Sequence, residues 1–343
     1  MVRRMTLQNE ARFCSVLVQR PIAENLTNIS ADIISGLNDT SMQEPLWYTV
    51  LAWLFTILGF VGNSFVILLI SSKKKLIRRK TNWFLLSLCF ADLGVSLSMY
   101  PAMTLCHPNK HCRFVLLASF QWAFLYSSVI NLCLLTVDRY IAIVKPFMYV
   151  LLMSTFRAVA FICAAWLIPF TLSFLPFTFL YSQQGIIAMK GYSYLMIVGF
   201  EFIPTLTLLL VTSHLIFIAR KHARETASVM AQLRYNQPMT ESNNVATLRH
   251  DNRRRSSVIF IVSIVVFFIF CYSATIARTC CDIFTLCSYP RAFYRASQLL
   301  QIANSAFNPL AYGFLKLDIK AEVKKLLRIA TDDDRSSMQL EQR

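Results

Sequence analysis

Charged side chains are scarce in this chain, and acidic ones are scarcest: 15% of residues are charged, with 18 Asp and Glu against 34 Lys and Arg. A soluble globular domain carries about 25% charged residues, so soluble surface is excluded over much of the length. The period-2 alternation of a membrane β-barrel is missing, and there is no internal repeat. No nucleophile–base set and no metal-ligand spacing stand out, so the sequence does not read as an enzyme. The last apolar run holds no lysine, and carboxylates within the apolar runs are limited to Asp92 and Glu201. That is poor equipment for a seven-helix pump or transporter, which needs a retinal lysine or a chain of membrane carboxylates.

What is present is apolar and blocky. Hydrophobic residues make up 56% of the chain and gather in seven runs, roughly 46–71, 82–105, 114–137, 157–180, 192–219, 257–280 and 293–315. About 20 apolar residues cross a hydrocarbon core about 30 Å thick. Lipid accepts only helices or closed barrels. The expected fold is therefore all-α: a membrane protein with a seven-transmembrane helix bundle over 46–315. Residues 1–45 read as a polar tail and 331–343 as a second one. Between 316 and 330, apolar Leu315, Ile319, Val323, Leu326 and Leu327 alternate with Lys316, Lys320, Lys324 and Lys325 at helical spacing. A short basic amphipathic helix on the bilayer surface fits this rhythm. The polar, basic segment 220–256 reads as a long mobile loop.

The net charge of +16 would suggest nucleic acid in a soluble protein. Its distribution points to a membrane instead, and no nucleic-acid partner is expected. Six Lys and Arg fall in 73–80, eight in 220–255 and seven in 316–343, all on one side of the bundle. The positive-inside rule puts that side, with the C-terminus, in the cytoplasm and the N-terminus outside. A multi-pass plasma-membrane protein is the expectation, with part of the basic excess contacting anionic lipid of the bilayer. Three acceptor triplets begin at Asn25, Asn28 and Asn38, so the outer tail is expected to be glycosylated. Arg3-Arg4 precedes no apolar core, and the first apolar run is expected to serve as the insertion signal. Cys14, Cys106, Cys112, Cys280, Cys281 and Cys287 lie at or near the outer, oxidising side, where disulfides form.

The most informative stretch is Asp138-Arg139-Tyr140, a bonded charge pair closing the third apolar run. Charges at such a place usually mark function. Further positions fall in order: Gly62-Asn63 in the first run, Leu88 to Asp92 in the second, then Ile143, Pro146 and Phe147 after the charge pair. Trp166, Pro204, Phe268 and Cys271, and finally Asn308-Pro309-Leu310-Ala311-Tyr312, complete the series. Together they resemble the rhodopsin-like (class A) G-protein-coupled receptors over about residues 46–330, with the amphipathic segment as the eighth helix.

The resemblance implies a receptor that turns binding of an extracellular ligand into activation of a heterotrimeric G protein, by shifting the population of helix arrangements. Asp138, Arg139, Tyr140, Pro146, Phe147, Asn308, Pro309 and Tyr312 would form the coupling and switch set. Arg139 would pair with Asp138 at rest and face the G protein's C-terminal helix on activation, with Phe147 as a hydrophobic plug. Pro204, Val129, Phe268 and Tyr272 would transmit the change. Asp92, Ser128, Asn304 and Asn308 would line an oxygen-rich pocket suited to a sodium ion; a protonated Asp92 in a watery polar network is the other reading. No covalent cofactor is implied, and Ile302 at the retinal-lysine position excludes covalent retinal.

Departures from the pattern are as informative. Cys271-Tyr272-Ser273-Ala274 replaces Cys-Trp-x-Pro, Thr212 replaces a tyrosine, and Arg254 stands where an acid often latches Arg139. Without the proline the sixth helix is expected to be straighter. These losses either raise basal activity or weaken the active state, and a non-signalling or constitutively active receptor without ordinary ligand control is the alternative reading. Phe114 takes the place of the usual bridging cysteine, so Cys106–Cys112 and Cys281 (or Cys280)–Cys287 are the expected substitutes. Gln121 stands where amine receptors carry aspartate, which argues against an amine held there. Gln121, Trp122, Leu125, Met196, Phe200, Tyr272, Thr275, Gln298 and Gln301 would line the ligand cavity. Glu201 either contacts ligand or hydrogen-bonds Tyr272 or Ser273, with no Lys or Arg partner expected at its depth. The ligand class stays wide: a small molecule, lipid or peptide. Arrestin engagement is left open by the short tail, with Thr331, Ser336 and Ser337, and by Ser256 and Ser257.

Overall fold

A computed structural model of the chain describes residues 44–106, 114–176, 185–236, 241–284, 287 and 289–326. The glycosylation triplets at Asn25, Asn28 and Asn38, the Cys106–Cys112 pairing and the tail after 326 lie outside the described residues or side chains.

Every described element is a helix. The first span is Leu46–Ser72; the second is Lys80–Ser98, continued after a break at Met99 by Tyr100–Cys106. The third is Phe114–Val144, longer than its apolar run because the charge pair extends the helix rather than ending it. Lys145 leaves helical geometry (φ −131°, ψ 63°) directly before Pro146, which disfavours helix in its predecessor. A short helix, Pro146–Leu152, then leads to the fourth span, Thr155–Phe174. Ser154 caps that span by accepting from the Arg157 amide at 3.3 Å.

The fifth span differs most from expectation. It starts at Gly185, winds as a π-helix over Ile197–Phe202, and continues as α-helix through Asn236. The sixth runs unbroken over Glu241–Phe284, 44 residues. The segment 220–256, expected as a loop, is thus helical up to Asn236 and again from Glu241. Its polarity suggested a loop, yet Ala223, Arg224, Glu225, Ala227, Met230, Ala231, Gln232 and Leu233 are mostly strong helix formers. A sixth span without proline has nothing to interrupt it.

Six of these helices are long and apolar enough to cross a membrane. The seventh span, Arg291–Leu315, falls short because its buried face is polar: Ser297, Gln301, Asn304, Ser305 and Asn308 all point inward. The final helix covers 317–326 and buries Ile319 completely. The first span packs on the second and seventh, the third on the second, fourth and fifth, and the sixth on the fifth and seventh. Lipid-facing positions such as Leu68, Leu210 and Phe270 stay exposed, as a bilayer protein requires.

One contact explains how the seventh span survives its proline. Pro309 has no N–H for the carbonyl of Ser305, four residues back. Asn63 of the first span donates to that carbonyl at 3.2 Å. The spans approach closely here, since a Cβ on Gly62 would lie 2.9 Å from the Pro309 ring.

Candidate functional site

The described residues carry two polar systems, one at the Arg139 end of the bundle and one toward the Cys281 end, joined by buried groups around Asp92.

At the Arg139 end, Asp138 is wholly buried and collects four bonds. Arg139 donates from Nε at 3.0 Å and Nη2 at 2.7 Å, Thr81 at 2.9 Å, and Tyr149 of the short helix at 2.9 Å. The expected Asp138–Arg139 pair is present, and Thr81 and Tyr149 hold it from the second span and the short helix. Sequence reasoning missed both, because nothing in the residue pattern brings Tyr149 back to the third span. Tyr140 bonds His214 of the fifth span at 2.7 Å. Phe147 is an apolar ring, 92% exposed, beside Pro146. Tyr312 is fully buried against Phe260, and its hydroxyl has no hydrogen-bond partner.

A cavity of about 390 Å³ opens here, lined among others by Arg79, Lys80, Arg139, Lys316 and Asp318. Each of these charges is engaged. Arg79 pairs with Asp318, Lys80 donates to the Met153 carbonyl at 2.8 Å, and Lys316 bonds Asn82. Burial, reinforced by the neighbouring Arg139 charge, lowers the Lys316 pKa to about 7.

Midway along the bundle, Asp92 is buried completely. Its Oδ1 accepts from Ser128 at 2.6 Å and Ser305 at 2.8 Å, and Oδ2 from Asn308 at 2.8 Å. Ser305, which was not anticipated, takes part, whereas the expected Asn304 does not bond Asp92 and leaves its carbonyl oxygen unpartnered. Carboxylate, two hydroxyls and a spare amide oxygen are hard donors of the kind a sodium ion takes. Val129 and Phe268 are buried nearby in the core, and Tyr272 stacks on Phe268 with ring centres 4.3 Å apart.

Toward the other end, the π-helical turn sits just before Pro204, whose missing N–H loosens the α-ladder. The wider turn lets the adjacent Phe200 and Glu201 both face inward, 4% and 3% exposed. Phe200 stacks on Tyr126 at 4.5 Å, and Tyr126 on Trp122 at 5.4 Å. Met196 packs with this cluster. Gln121, Leu125, Thr275 and Gln301 are buried. Gln298 is already spoken for, accepting from the Tyr48 hydroxyl at 2.8 Å and donating to Tyr294 at 2.8 Å. It ties the seventh span to the first.

Two expectations for Glu201 fail. Ser273 faces outward and donates to the Phe270 carbonyl, and the Tyr272 hydroxyl has no partner, so neither bonds the carboxylate. A cation is present after all. Arg278 of the sixth span is 5% exposed, and its charge acts on Glu201 along with the Thr279 hydroxyl. Applying to Arg278 the rule that singled out Glu201, that a charge inside an apolar run marks function, would have found it. Beyond Arg278, Cys281 and Cys287 form a disulfide with Cα atoms 5.0 Å apart, as one of the two expected pairings has it; Cys280 is free.

Seven spans with a carboxylate bonded at mid-bundle and an Asp-Arg pair closing the third define a class of helical membrane receptors. A family model described as "7 transmembrane receptor (rhodopsin family)" matches residues 62–312, and the chain belongs to that family. The chain is therefore a receptor and not an enzyme. It is 26% identical to octopamine receptor beta-2R of Chilo suppressalis over 325 residues, covering 82% of this chain and 80% of that protein. It is 23% identical to 5-hydroxytryptamine receptor 4 of Rattus norvegicus over 341 residues, 90% of this chain and 82% of the relative. With 5-hydroxytryptamine receptor 6 of Mus musculus the figures are 27% over 311 residues, 80% and 69%.

Proposed function

We propose that the protein sits in the plasma membrane with its N-terminus outside, binds a small extracellular ligand toward the Cys281 end, and activates a heterotrimeric G protein at the Arg139 end. The observation that carries this reading is the Asp138 latch. A salt bridge that is buried on one side and held by two flanking hydroxyls is a two-state element: intact at rest, and able to release Arg139 when the spans part. Phe147, exposed beside it, is an apolar knob suited to a partner's pocket. The basic excess at the same end supports a cytoplasmic placement.

The missing sixth-span acid is thus compensated locally. Thr81 and Tyr149 do at the third span what an acidic residue at position 254 would do from across the bundle. Asp92, with Ser128, Ser305 and Asn304, would hold a sodium ion, which would favour the closed arrangement around it. The relatives named for octopamine and 5-hydroxytryptamine suggest a small ligand. Gln121 gives a cationic ligand no ion-pair partner on the third span, so the buried carboxylate available to it is Glu201.

Purified receptor in nanodiscs, mixed with a panel of G proteins, tests the reading by nucleotide exchange. Wild type should stimulate at least one, and Arg139→Ala, present in equal folded amount, should not. Silence of the wild type across the panel would favour the non-signalling alternative.

A further inference from the structure

The outer half of the bundle holds buried polar atoms with no hydrogen-bond partner among the described residues. Glu201 Oε2, Tyr272 Oη, Thr275 Oγ1, Arg278 Nε and Gln301 Nε2 are all buried without a hydrogen-bond partner. They come from the fifth, sixth and seventh spans; Arg278 and the adjoining Thr279 hydroxyl act on Glu201, and Thr279 donates to the Thr275 carbonyl at 2.9 Å. Buried polar groups are normally paired, and a cluster of exceptions calls for an occupant.

The two charges do not neutralise each other by contact. Arg278 Nη1 donates to Ser297 at 2.9 Å, and the guanidinium lies 4.9 Å from the centre of the Tyr294 ring. Both anchors belong to the seventh span and hold the guanidinium there, while Glu201 projects from the fifth. The Cys281–Cys287 bridge, one turn beyond Arg278, restrains the end of the sixth span. One buried anion and one buried cation, close enough to act on each other, each keep an unused polar atom. A ligand bearing only an ammonium would satisfy Glu201 and leave Arg278 uncompensated; one bearing only a carboxylate would do the reverse. Uncompensated buried charge is costly.

We propose that this site takes a small zwitterion with an aromatic body: its ammonium on Glu201, its carboxylate on Arg278, its ring against Tyr126 and Phe200. Arg278 offers a planar fork suited to a carboxylate. The stacked Tyr126 and Phe200 rings offer an aromatic wall. The site therefore departs from a one-charge amine pocket by pairing a fifth-span acid with a sixth-span base. This rests on the receptor reading above.

The test uses full-length receptor in nanodiscs and three matched probes: phenylalanine, phenethylamine with the ammonium alone, and 3-phenylpropionate with the carboxylate alone. The same series is run for tryptophan and its two one-charge analogues. Thermal stabilisation reads binding, and nucleotide exchange reads coupling. At least one amino acid should stabilise the wild type, with each matched one-charge analogue at least about 30-fold weaker. Glu201→Gln should shift preference toward the acid, and Arg278→Gln toward the amine. These opposite shifts separate recognition from folding damage, which would weaken all probes alike. The proposal is overturned if the amine matches the amino acid on wild type, if Arg278→Gln leaves the preference unchanged, or if no probe stabilises a receptor that shows basal exchange. Binding with the predicted preference but no exchange on any G protein would overturn the coupling reading and leave this one standing.

Discussion

The two ends of the bundle treat buried charge in opposite ways. At the Arg139 end, Asp138 collects four hydrogen bonds, and every charge lining the cavity has a partner within the chain. In the Glu201 half, carboxylate, guanidinium, hydroxyls and an amide are buried with unused atoms. The charges of the first arrangement are all bonded and must be parted to act, although the Tyr312 hydroxyl beside them is unpartnered. The second is incomplete as it stands and must be filled. A receptor needs this asymmetry: filling one end must offset the cost of breaking the other, and only a ligand with different affinity for the two arrangements can do so.

The largest effect is expected where the halves are tied together. Asn63→Ala should leave the Ser305 carbonyl without a donor at the Pro309 break, costing about 1–3 kcal/mol of stability. Thermal unfolding in nanodiscs checks it, and a change below about 0.5 kcal/mol would show that Asn63 is not the substitute donor. Next comes the complete end. Tyr149→Phe removes one bond to a buried carboxylate, worth about 1.5 kcal/mol, and should raise ligand-free nucleotide exchange about tenfold.

The matching change in the incomplete end should do almost nothing. Thr275→Val removes a buried hydroxyl that has no hydrogen-bond partner for its oxygen, so stability without ligand should hold or rise by up to about 1 kcal/mol. A clear loss would mean that this half is satisfied too and would dissolve the contrast.

The last effect is one of pH, and solvent reaching the half-buried Lys316 mutes it. The Lys316 pKa is lowered by burial from 10.5 to about 7. Between those values the unfolded chain binds a proton that the folded chain does not. Stability therefore rises as pH climbs from about 7 toward 10, and the burial penalty is fully felt below about 7. Lys316→Gln should remove that slope from pH-dependent unfolding curves.

Much of this was legible in the residues. The seven spans followed from apolar run length, and Asp92, Asp138 and Arg139 from the cost of charge in lipid. The polar face of the seventh span weakened its run without hiding it, because Asn308-Pro309 and Tyr312 marked it independently. What escaped notice has physical reasons. The stretch 220–256 is rich in polar residues, which points to a loop, but helix formers prevail on either side of 237–240. The π turn at Ile197–Phe202 has no sequence signature beyond the nearby Pro204. Thr81, Tyr149 and Ser305 are ordinary hydroxyls whose roles arise only when distant segments meet. Arg278, by contrast, is legible as a charge near the end of the sixth apolar run. The fold, however, draws it inward through Ser297 and Tyr294.

The central claim is that the Asp138 latch holds Arg139 in its resting place. Ligand-free nucleotide exchange by Asp138→Asn receptor, compared with wild type at equal folded amount, tests it most directly. The account predicts a rise of more than about tenfold over wild type, which adding Arg139→Ala abolishes. Exchange by Asp138→Asn no higher than wild type would contradict it.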